Sequence, residues 1–527
     1  MARVDLPPPA ERQSLATSDA VWSRVTLRYL LAALAGASLA LSFAPFGWWP
    51  VAVLAPAVLI ALWERAKPRH AAWLGFWFSV GTFSVGTYWL YISIAGFGQA
   101  PGWLALLLMA GISAIMGAYH AGLGYLVARW LPAHGALRWL VAIPAAWSLV
   151  EWLRGWFLSG FGWLAVGYSQ SDTWLAGLAP VGGIYLVSLM VLLGAGALLA
   201  LVRGDKRTRV LATLALIVPW SAGWALTRID WTRPAAEPLS VAIVQGAIPQ
   251  DMKWLSENLP TTLARYRELT RTAHGADIIV WPESAAPDLA NNLVDYLGAV
   301  ATEASARGSA LITGVVRASD DGERYYNSVL ALDQKVGWYD KHHLVPFAEF
   351  FPVPKFVRRW LRLMSLPYSD FTAGEARQAP LEVAGQKIAA SICYEDAYGS
   401  TQLPLMREAT LLVNVTNDAW FGRSTARYQH LQIARFRALE TGRYLVRAAN
   451  DGVSAVIGPR GQVLARATEY EPTVLRAEVT PLSGLTPYAR VGNWAVVLAA
   501  LALLLIGVAR GGRRRYDGHV TAAAGTL

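Results

Sequence analysis

Residues 387–399 read KIAASICYEDAYG. A largely apolar, strand-forming run leads into Cys393, and the chain turns polar at Glu395 and Asp396. Apolar residues without a polar alternation fit a strand covered on both faces, which requires layers of structure on either side. Cys393 is the sole cysteine of 527 residues. It can form neither an intramolecular disulfide nor a multi-thiolate zinc site, so two readings stay open, an inert core residue or a nucleophile.

Runs of the same kind stand at LSVAIVQG (239–246), ADIIVWPE (276–283), ALITGVV (310–316) and TLLVNVTND (410–418). TTLARYRELTRTA (261–273) and ARYQHLQIARFRALETG (426–442) read as helices, the second stopped by Gly442. NDG at 450–452 and GPRG at 458–461 punctuate strand-like runs as hairpin turns. Segment 228–490 is therefore expected to be an α/β or α+β domain with layered sheets and outer helices.

The rest of the chain has another character. With 54% hydrophobic residues, 24 tryptophans and 16% charged residues, it is too apolar for an ordinary soluble enzyme. Apolar stretches of spanning length fall at 25–43, 47–63, 71–95, 102–128, 138–158, 174–202, 209–227 and 493–509, predicting a polytopic helical domain of about eight spans. The expected order is a tail (1–23), a seven-helix membrane domain (24–227), the layered domain (228–490), an eighth span (491–509) and a basic tail (510–527). Segment 1–23 lacks the features of a cleaved signal, so the first span reads as an uncleaved anchor.

The net charge of +10 sits in short clusters between spans rather than in a nucleic-acid-binding patch. Arg24 and Arg28, Arg65 to Arg69, Arg129 and Arg138, Arg203 to Arg209, and Arg510 to Arg515 carry it, while the alternate gaps have no Lys or Arg. By the positive-inside rule both termini are cytoplasmic and segment 228–490 is external. In SLVEWLRGWF, Glu151 and Arg154 lie three residues apart on one helix face. Two readings follow, an interfacial ion pair or a binding site for a lipid headgroup.

Three strand ends carry chemistry. Glu283 follows IIVWP, Lys341 follows GWYD with Glu349 eight residues on, and Cys393 ends its own strand. A thiol is mostly protonated at neutral pH, and nearby carboxylates raise its pKa, so a nucleophilic cysteine needs a base and a cation. Glu283 can supply the base, Lys341 the cation, and the Tyr394 backbone N–H an oxyanion contact. Each residue alone also has a structural reading, as helix cap, surface lysine or core thiol. His342 and His343 lack a third metal ligand at a recognisable spacing, and Ser391 lacks a G-x-S-x-G elbow. No pattern calls for a metal or an organic cofactor.

Taken together, WPES, YDKHHLVPFAEF and CYED resemble the Glu–Lys–Cys signature of the nitrilase (carbon–nitrogen hydrolase) superfamily. With seven spans before that domain and one after, the chain resembles the apolipoprotein N-acyltransferase family of bacterial envelopes, and VQGAIPQDMKW and NVTNDAWFG extend the likeness. The resemblance implies an αββα sandwich on a membrane base, facing the periplasm from the inner membrane. It implies that Cys393 takes the sn-1 acyl chain of a phospholipid, commonly phosphatidylethanolamine, as a thioester. The acyl chain would then pass to the α-amine of a diacylglyceryl-cysteine on an apolipoprotein.

By position, Glu283 matches the general base, Lys341 the oxyanion-stabilising lysine and Cys393 the nucleophile. Glu349, Tyr394 and Glu395 match supporting positions, and Trp254 a substrate-contacting loop. Trp420 and Phe421 read either as part of a lid at the membrane interface or as core packing. Two other functions fit the same residues, a membrane-tethered amidase acting on a small amide and a sensor or transporter whose external domain only binds ligand.

Overall fold

The computed structural model describes residues 25–346, 348–350 and 371–524, with side chains of the last helix described to 511. The expected tail 1–23 lies outside the described residues. Between the two apolar ends of the chain stand two six-stranded sheets. The first has the order β12-β1-β2-β3-β4-β5, built from β1 (Leu239–Gln245), β2 (Ile278–Val280), β3 (Ala310–Ala318), β4 (Tyr325–Leu332), β5 (Val336–Asp340) and β12 (Thr473–Val479). The second has the order β11-β10-β9-β8-β7-β6, from β6 (Leu381–Val383), β7 (Gln386–Ile392), β8 (Leu411–Thr416), β9 (Leu445–Ala449), β10 (Ala455–Ile457) and β11 (Val463–Arg466). In each sheet three central strands run parallel, β1-β2-β3 and β7-β8-β9, so their C-terminal ends share one rim.

Alternation along the strands makes the sandwich. Val241, Ile243, Ile278, Val280 and Ile312 meet Ile388, Ala390, Ile392, Val413 and Val415 between the sheets. Each such residue, fully buried, contributes about 1.5–3 kcal/mol. The opposite faces are covered too, which is why the strands read as continuous apolar runs. Ala242, Val244, Ile279 and Leu311 pack under helices Leu259–Ala273 and Val294–Ser305, while Ala389, Leu412 and Leu445 pack under helix Ala426–Thr441. NDG and GPRG lie between β9, β10 and β11 as the expected hairpin turns.

Among the described residues, five helices are long and apolar enough to cross a membrane: Val25–Ser42, Gly102–Trp130, Trp174–Arg203, Lys206–Leu226 and Trp494–Gly511. The other three expected spans are helical but less simple. Val51–Trp63 has 13 residues, about 20 Å at the α-helical rise. Pro68–Gly86 begins with Pro68, Arg69 and His70, and Ile143–Arg154 holds two charges and is preceded by a wider turn at Leu137–Ala142. The last helix continues to Ala524, so residues 510–524 extend it rather than forming a separate tail.

Glu151 and Arg154 form no ion pair within 4 Å among the described residues, and both are buried inside the membrane domain. Each instead holds the backbone of the following loop. Glu151 Oε1 accepts from the Val166 N–H at 3.0 Å, and Arg154 donates to the carbonyls of Phe161 and of Trp163, the latter at 2.7 Å. The ion-pair reading fails because loop carbonyls and amides lie closer to these charges than the charges do to each other, and burial of both side chains takes them out of reach of a lipid headgroup.

Helix Ala426–Thr441 joins the two parts of the molecule. Fourteen of its 16 residues are buried, and it ends at Gly442 in the left-handed region (φ 64°), where a Cβ would sit 2.8 Å from Thr232. Leu431, Ala434 and Ala438 face the second sheet, and Ile433, Phe436 and Leu439 face the membrane helices. Gln429, on the membrane side, accepts from the indoles of Trp89 at 3.1 Å and Trp163 at 2.7 Å, and donates to the Gly86 carbonyl at 3.1 Å. Glu440, further along, accepts from the Ile184 N–H at 2.8 Å, just after helix Ala179–Arg203 breaks at Gly182 and Gly183. Replacing Gln429 with Leu strands both indole donors, at about 1–3 kcal/mol each. We expect a clear fall in melting temperature in detergent, and an unchanged value would show that the indoles find other partners.

Candidate active site

The three expected residues converge because their strands do. Cys393 begins a 3-10 turn (Cys393–Ala397) directly after β7, Lys341 directly follows β5, and Glu283 stands three residues beyond β2. Lys341 Nζ donates to Glu349 Oε1 at 2.9 Å and lies 3.9 Å from Glu283 Oε1. Burial by itself would lower the Lys341 pKa, but the charges of Glu349 and Glu283 hold it above its ordinary value, so the lysine stays cationic. Burial pushes the Cys393 thiol up, the Glu283 charge adds to the rise, and Lys341 opposes it. A resting thiol beside an ionised lysine is the result.

Glu283 approaches the centre because β3 lets it. A Cβ on Gly314 would stand 2.5 Å from the Glu283 Cα and 2.7 Å from the Pro282 carbonyl oxygen. Only glycine permits this contact, and the Gly314 N–H donates to that same carbonyl at 3.2 Å.

Cys393 has φ 50°, a conformation that costs a non-glycine residue about 1–3 kcal/mol and persists only where surroundings enforce it. Glu395 is one such restraint. Its Oε1 accepts from the backbone N–H groups of His342 at 2.8 Å and His343 at 3.1 Å, and its Oε2 from that of Ile392 at 2.9 Å. The Tyr339 hydroxyl donates to both oxygens at 3.0 Å. Glu395 thus clamps the lysine loop to the cysteine turn.

The other expected residues take distinct places. Glu349 receives Lys341 and Asn327 on Oε1 and the Val345 N–H on Oε2 at 2.8 Å. Tyr394 turns its side chain from the centre toward the membrane domain, stacking on Phe161 and Trp163 and donating to the Gly160 carbonyl at 3.2 Å. Trp254 is 49% exposed at the end of the turn Gln250–Lys253. Phe421 packs on Trp89 at 4.7 Å between ring centroids, whereas Trp420 is 40% exposed, with Phe97 at 6.3 Å. His342 and His343 give their backbone N–H groups to Glu395, and the His343 ring stacks on Tyr398 at 4.2 Å.

Two residues missed in the sequence complete the centre. Asn327, buried on β4, donates its side-chain amide to Glu283 at 2.7 Å and to Glu349 at 3.0 Å. An Asn inside the run YYNSVLAL was the available signal, since a buried strand amide needs partners. Lys253, fully buried, donates to the Glu283 carbonyl oxygen at 3.1 Å. Burial lowers its pKa to about 8, against the pull of Glu283 and Asp451. Nothing local in QDMKW distinguishes a buried lysine from a solvated one.

The two sheets with their strand-end Glu, Lys and Cys define a carbon–nitrogen hydrolase domain set on a helical membrane domain. Residues 240–488 match the carbon–nitrogen hydrolase family model, and residues 35–197 match the apolipoprotein N-acyltransferase N-terminal domain. Apolipoprotein N-acyltransferase of Chromobacterium violaceum is 43% identical over 496 residues, covering 93% of this chain and 95% of that protein. Those of Methylococcus capsulatus and Pseudomonas putida are 40% and 42% identical, over 92% and 90% of this chain and 96% and 95% of theirs. The chain belongs to the apolipoprotein N-acyltransferase family.

Because Gly314 admits the Glu283 backbone, Gly314→Ala is expected to lose about 1–3 kcal/mol of stability through overpacking. Displacing the Glu283 carboxylate should also slow turnover by on the order of 100-fold. Chemical denaturation and a turnover assay read the two effects, and parental values in both would show that the strand ends tolerate the shift.

Proposed function

We propose that the chain moves an acyl chain from a phospholipid to the amino terminus of a lipoprotein through a thioester on Cys393. One observation carries this reading. The nucleophile turn rests on the membrane domain, with the Tyr394 and Tyr398 hydroxyls donating to the carbonyls of Gly160 and Ser159, at 3.2 Å and 2.6 Å. A thiol anchored there can meet an ester held in a bilayer, which a small soluble amide does not require.

In the first half-reaction the thiol proton passes to Glu283 as sulfur attacks the sn-1 ester carbonyl. Lys341 faces the developing oxyanion, with the Tyr394 N–H as the second donor. The C–O bond then breaks, Glu283 returns the proton to the departing oxygen, and a lysophospholipid leaves. In the second half-reaction the α-amine of a diacylglyceryl-cysteine attacks the thioester carbonyl. A C–N bond forms, the C–S bond breaks, and the amine proton travels by way of Glu283 to the sulfur. A thioester is activated enough for this aminolysis, so the amide forms without ATP.

Burial favours a proton transfer that accompanies attack. Shifting the proton from thiol to Glu283 leaves the total charge of a desolvated site unchanged, whereas a free thiolate beside Glu283 and Glu349 would add to it. Glu349 and Glu395 act by holding Lys341 and the cysteine turn. Exposed Trp254 and Trp420 suit contact with the lipid chains, and Phe421 suits anchoring of the turn that carries Trp420. Phosphatidylethanolamine is the proposed donor. The clustered basic residues support a periplasmic catalytic domain on the inner membrane with both termini cytoplasmic.

Intact mass spectrometry after incubation with a defined phosphatidylethanolamine tests the reaction. We expect one added acyl chain in the parent, removed by hydroxylamine, and none in Cys393→Ala. The same adduct in the alanine variant would overturn the assignment, and release of free fatty acid without an adduct would favour the amidase-like reading. In intact spheroplasts, an impermeant thiol reagent applied after hydroxylamine should label Cys393 from outside, and labelling only after lysis would reverse the topology.

A further inference from the structure

Behind the nucleophile lies a buried histidine that the reaction above does not use. His430, on helix Ala426–Thr441, is 1% exposed. Its Nε2 lies 3.1 Å from the carbonyl oxygen of Cys393, and its Nδ1 lies 2.8 Å from Asp418 Oδ1. A carbonyl oxygen accepts only, so Nε2 carries the hydrogen in its contact with Cys393. Asp418 is ionised because Arg447 and His430 outweigh the burial that would otherwise raise its pKa. Arg447 fixes that carboxylate in turn, donating to Asp418 Oδ2 at 2.9 Å and to Asn414 Oδ1 at 2.6 Å. The indole of Trp163, from the membrane-domain loop held by Glu151 and Arg154, packs against the imidazole at 5.5 Å between centroids. The ring therefore has one orientation, and that orientation aims a donor at the nucleophile's own backbone.

We propose that His430 is a positioning residue for acylation, its Nε2–H holding the Cys393 carbonyl so that the left-handed turn presents the sulfur. Cys393 takes a backbone conformation foreign to a side chain of its kind, and the backbone is held one residue before it and at its own carbonyl. Glu395 grips the Ile392 N–H before it, and His430 grips its carbonyl after it. Without the second grip, the peptide joining Cys393 to Tyr394 keeps only the bonding of its own short 3-10 turn and can tilt, which turns the sulfur away from Lys341 and moves the Tyr394 N–H from the oxyanion. Asp418 and Trp163 act through the ring. The nucleophile's geometry thus depends on both a catalytic-domain carboxylate and a membrane-domain indole.

The proposal rests on the thioester reading above, and the experiment separates the two. In His430→Gln the side-chain amide reaches the position of Nε2 and keeps the donor to Cys393. In His430→Asn the amide takes the position of Nδ1, keeps Asp418 and takes the side-chain donor away from the Cys393 carbonyl. For full-length protein in detergent, three quantities are read on the monodisperse fraction: the first-turnover rate of lysophospholipid release, the rate of Cys393 alkylation by iodoacetamide, and the melting temperature. We expect His430→Gln to acylate within about threefold of the parent and His430→Asn to fall by on the order of tenfold or more, with alkylation in the same order. A merely structural ring predicts the two variants falling together, in step with melting temperature. Parental acylation by His430→Asn overturns the proposal. A loss of more than about tenfold by His430→Gln at unchanged melting temperature does so too, and needs no other variant to fold. If the parent releases no lysophospholipid while alkylation still ranks glutamine above asparagine, the acyl-donor reading fails and the positioning role stands.

Discussion

The buried carboxylate of Glu395 receives hydrogen bonds from both sheets at once. Ile392 donates from the end of β7, while Tyr339 and the amides of His342 and His343 donate from β5 and the loop that follows it. Each charge-assisted bond of this type is worth about 1.5–3 kcal/mol. They oppose the burial that raises the Glu395 pKa, and their geometry fixes the distance between two strand ends that share no ladder. Cys393 belongs to one sheet and Lys341 to the other, so holding the thiol beside the lysine requires a cross-brace that side-chain packing between sheets cannot supply alone. Packing of Val, Ile and Ala between sheets sets their separation but tolerates small slides. A carboxylate with four fixed donors does not.

Around that brace the charges are arranged so that few are left to water. Asp396, adjacent to Glu395 in sequence, turns the other way, accepting from the Ser391 hydroxyl at 3.0 Å and facing Arg447 at 3.5 Å. The carboxylates that raise the thiol pKa are thus Glu283 and Asp418, distant in sequence, rather than the two that follow the cysteine. Lys341 meets this with a charge held in place by Glu349 and Glu283. A lysine fastened at 2.9 Å to a carboxylate cannot swing to meet solvent, which suits the oxyanion-facing role proposed for it.

Much of this was readable from the residues, and the exceptions share a cause. The apolar runs before Glu283, Lys341 and Cys393 marked strands, and parallel strands put their ends together. The spans were visible as hydropathy, except that Val51–Trp63 and Ile143–Arg154 are shorter than a bilayer core and Trp494–Ala524 is longer than its apolar part. Edge strand β12 was missed because its pattern alternates with exposed Arg476 and Glu478 and carries no flanking motif. Gly298 obscures helix Val294–Ser305. Asn327, Lys253 and His430 escaped notice because their role depends on contacts far along the chain, 44 and 22 residues away for Asn327, 30 for Lys253, and 37 from His430 to Cys393. The Glu151 and Arg154 pair misled for the same reason, since spacing on a helix suggests a partner on that helix. Their partners are loop backbone groups, and only the fold supplies those.

Helix Ala426–Thr441 shows why a hydrolase-like domain in this chain is inseparable from its membrane base. A surface helix would keep one polar face for water. Here the polar side chains Gln429, Gln432 and Glu440 lie on the face that meets the membrane domain, and their partners are a pair of indoles, a serine hydroxyl and backbone amides. Detaching the base would expose Ile433, Phe436 and Leu439 and leave Gln429 without the indoles it receives. The same cut would remove Trp163 from His430, and Phe161 and Trp163 from Tyr394. Those two residues flank the cysteine turn through its carbonyl and its next side chain. The membrane domain is therefore part of the mould in which the cysteine turn is shaped, and one interface both joins the two domains and sets the geometry of the proposed nucleophile.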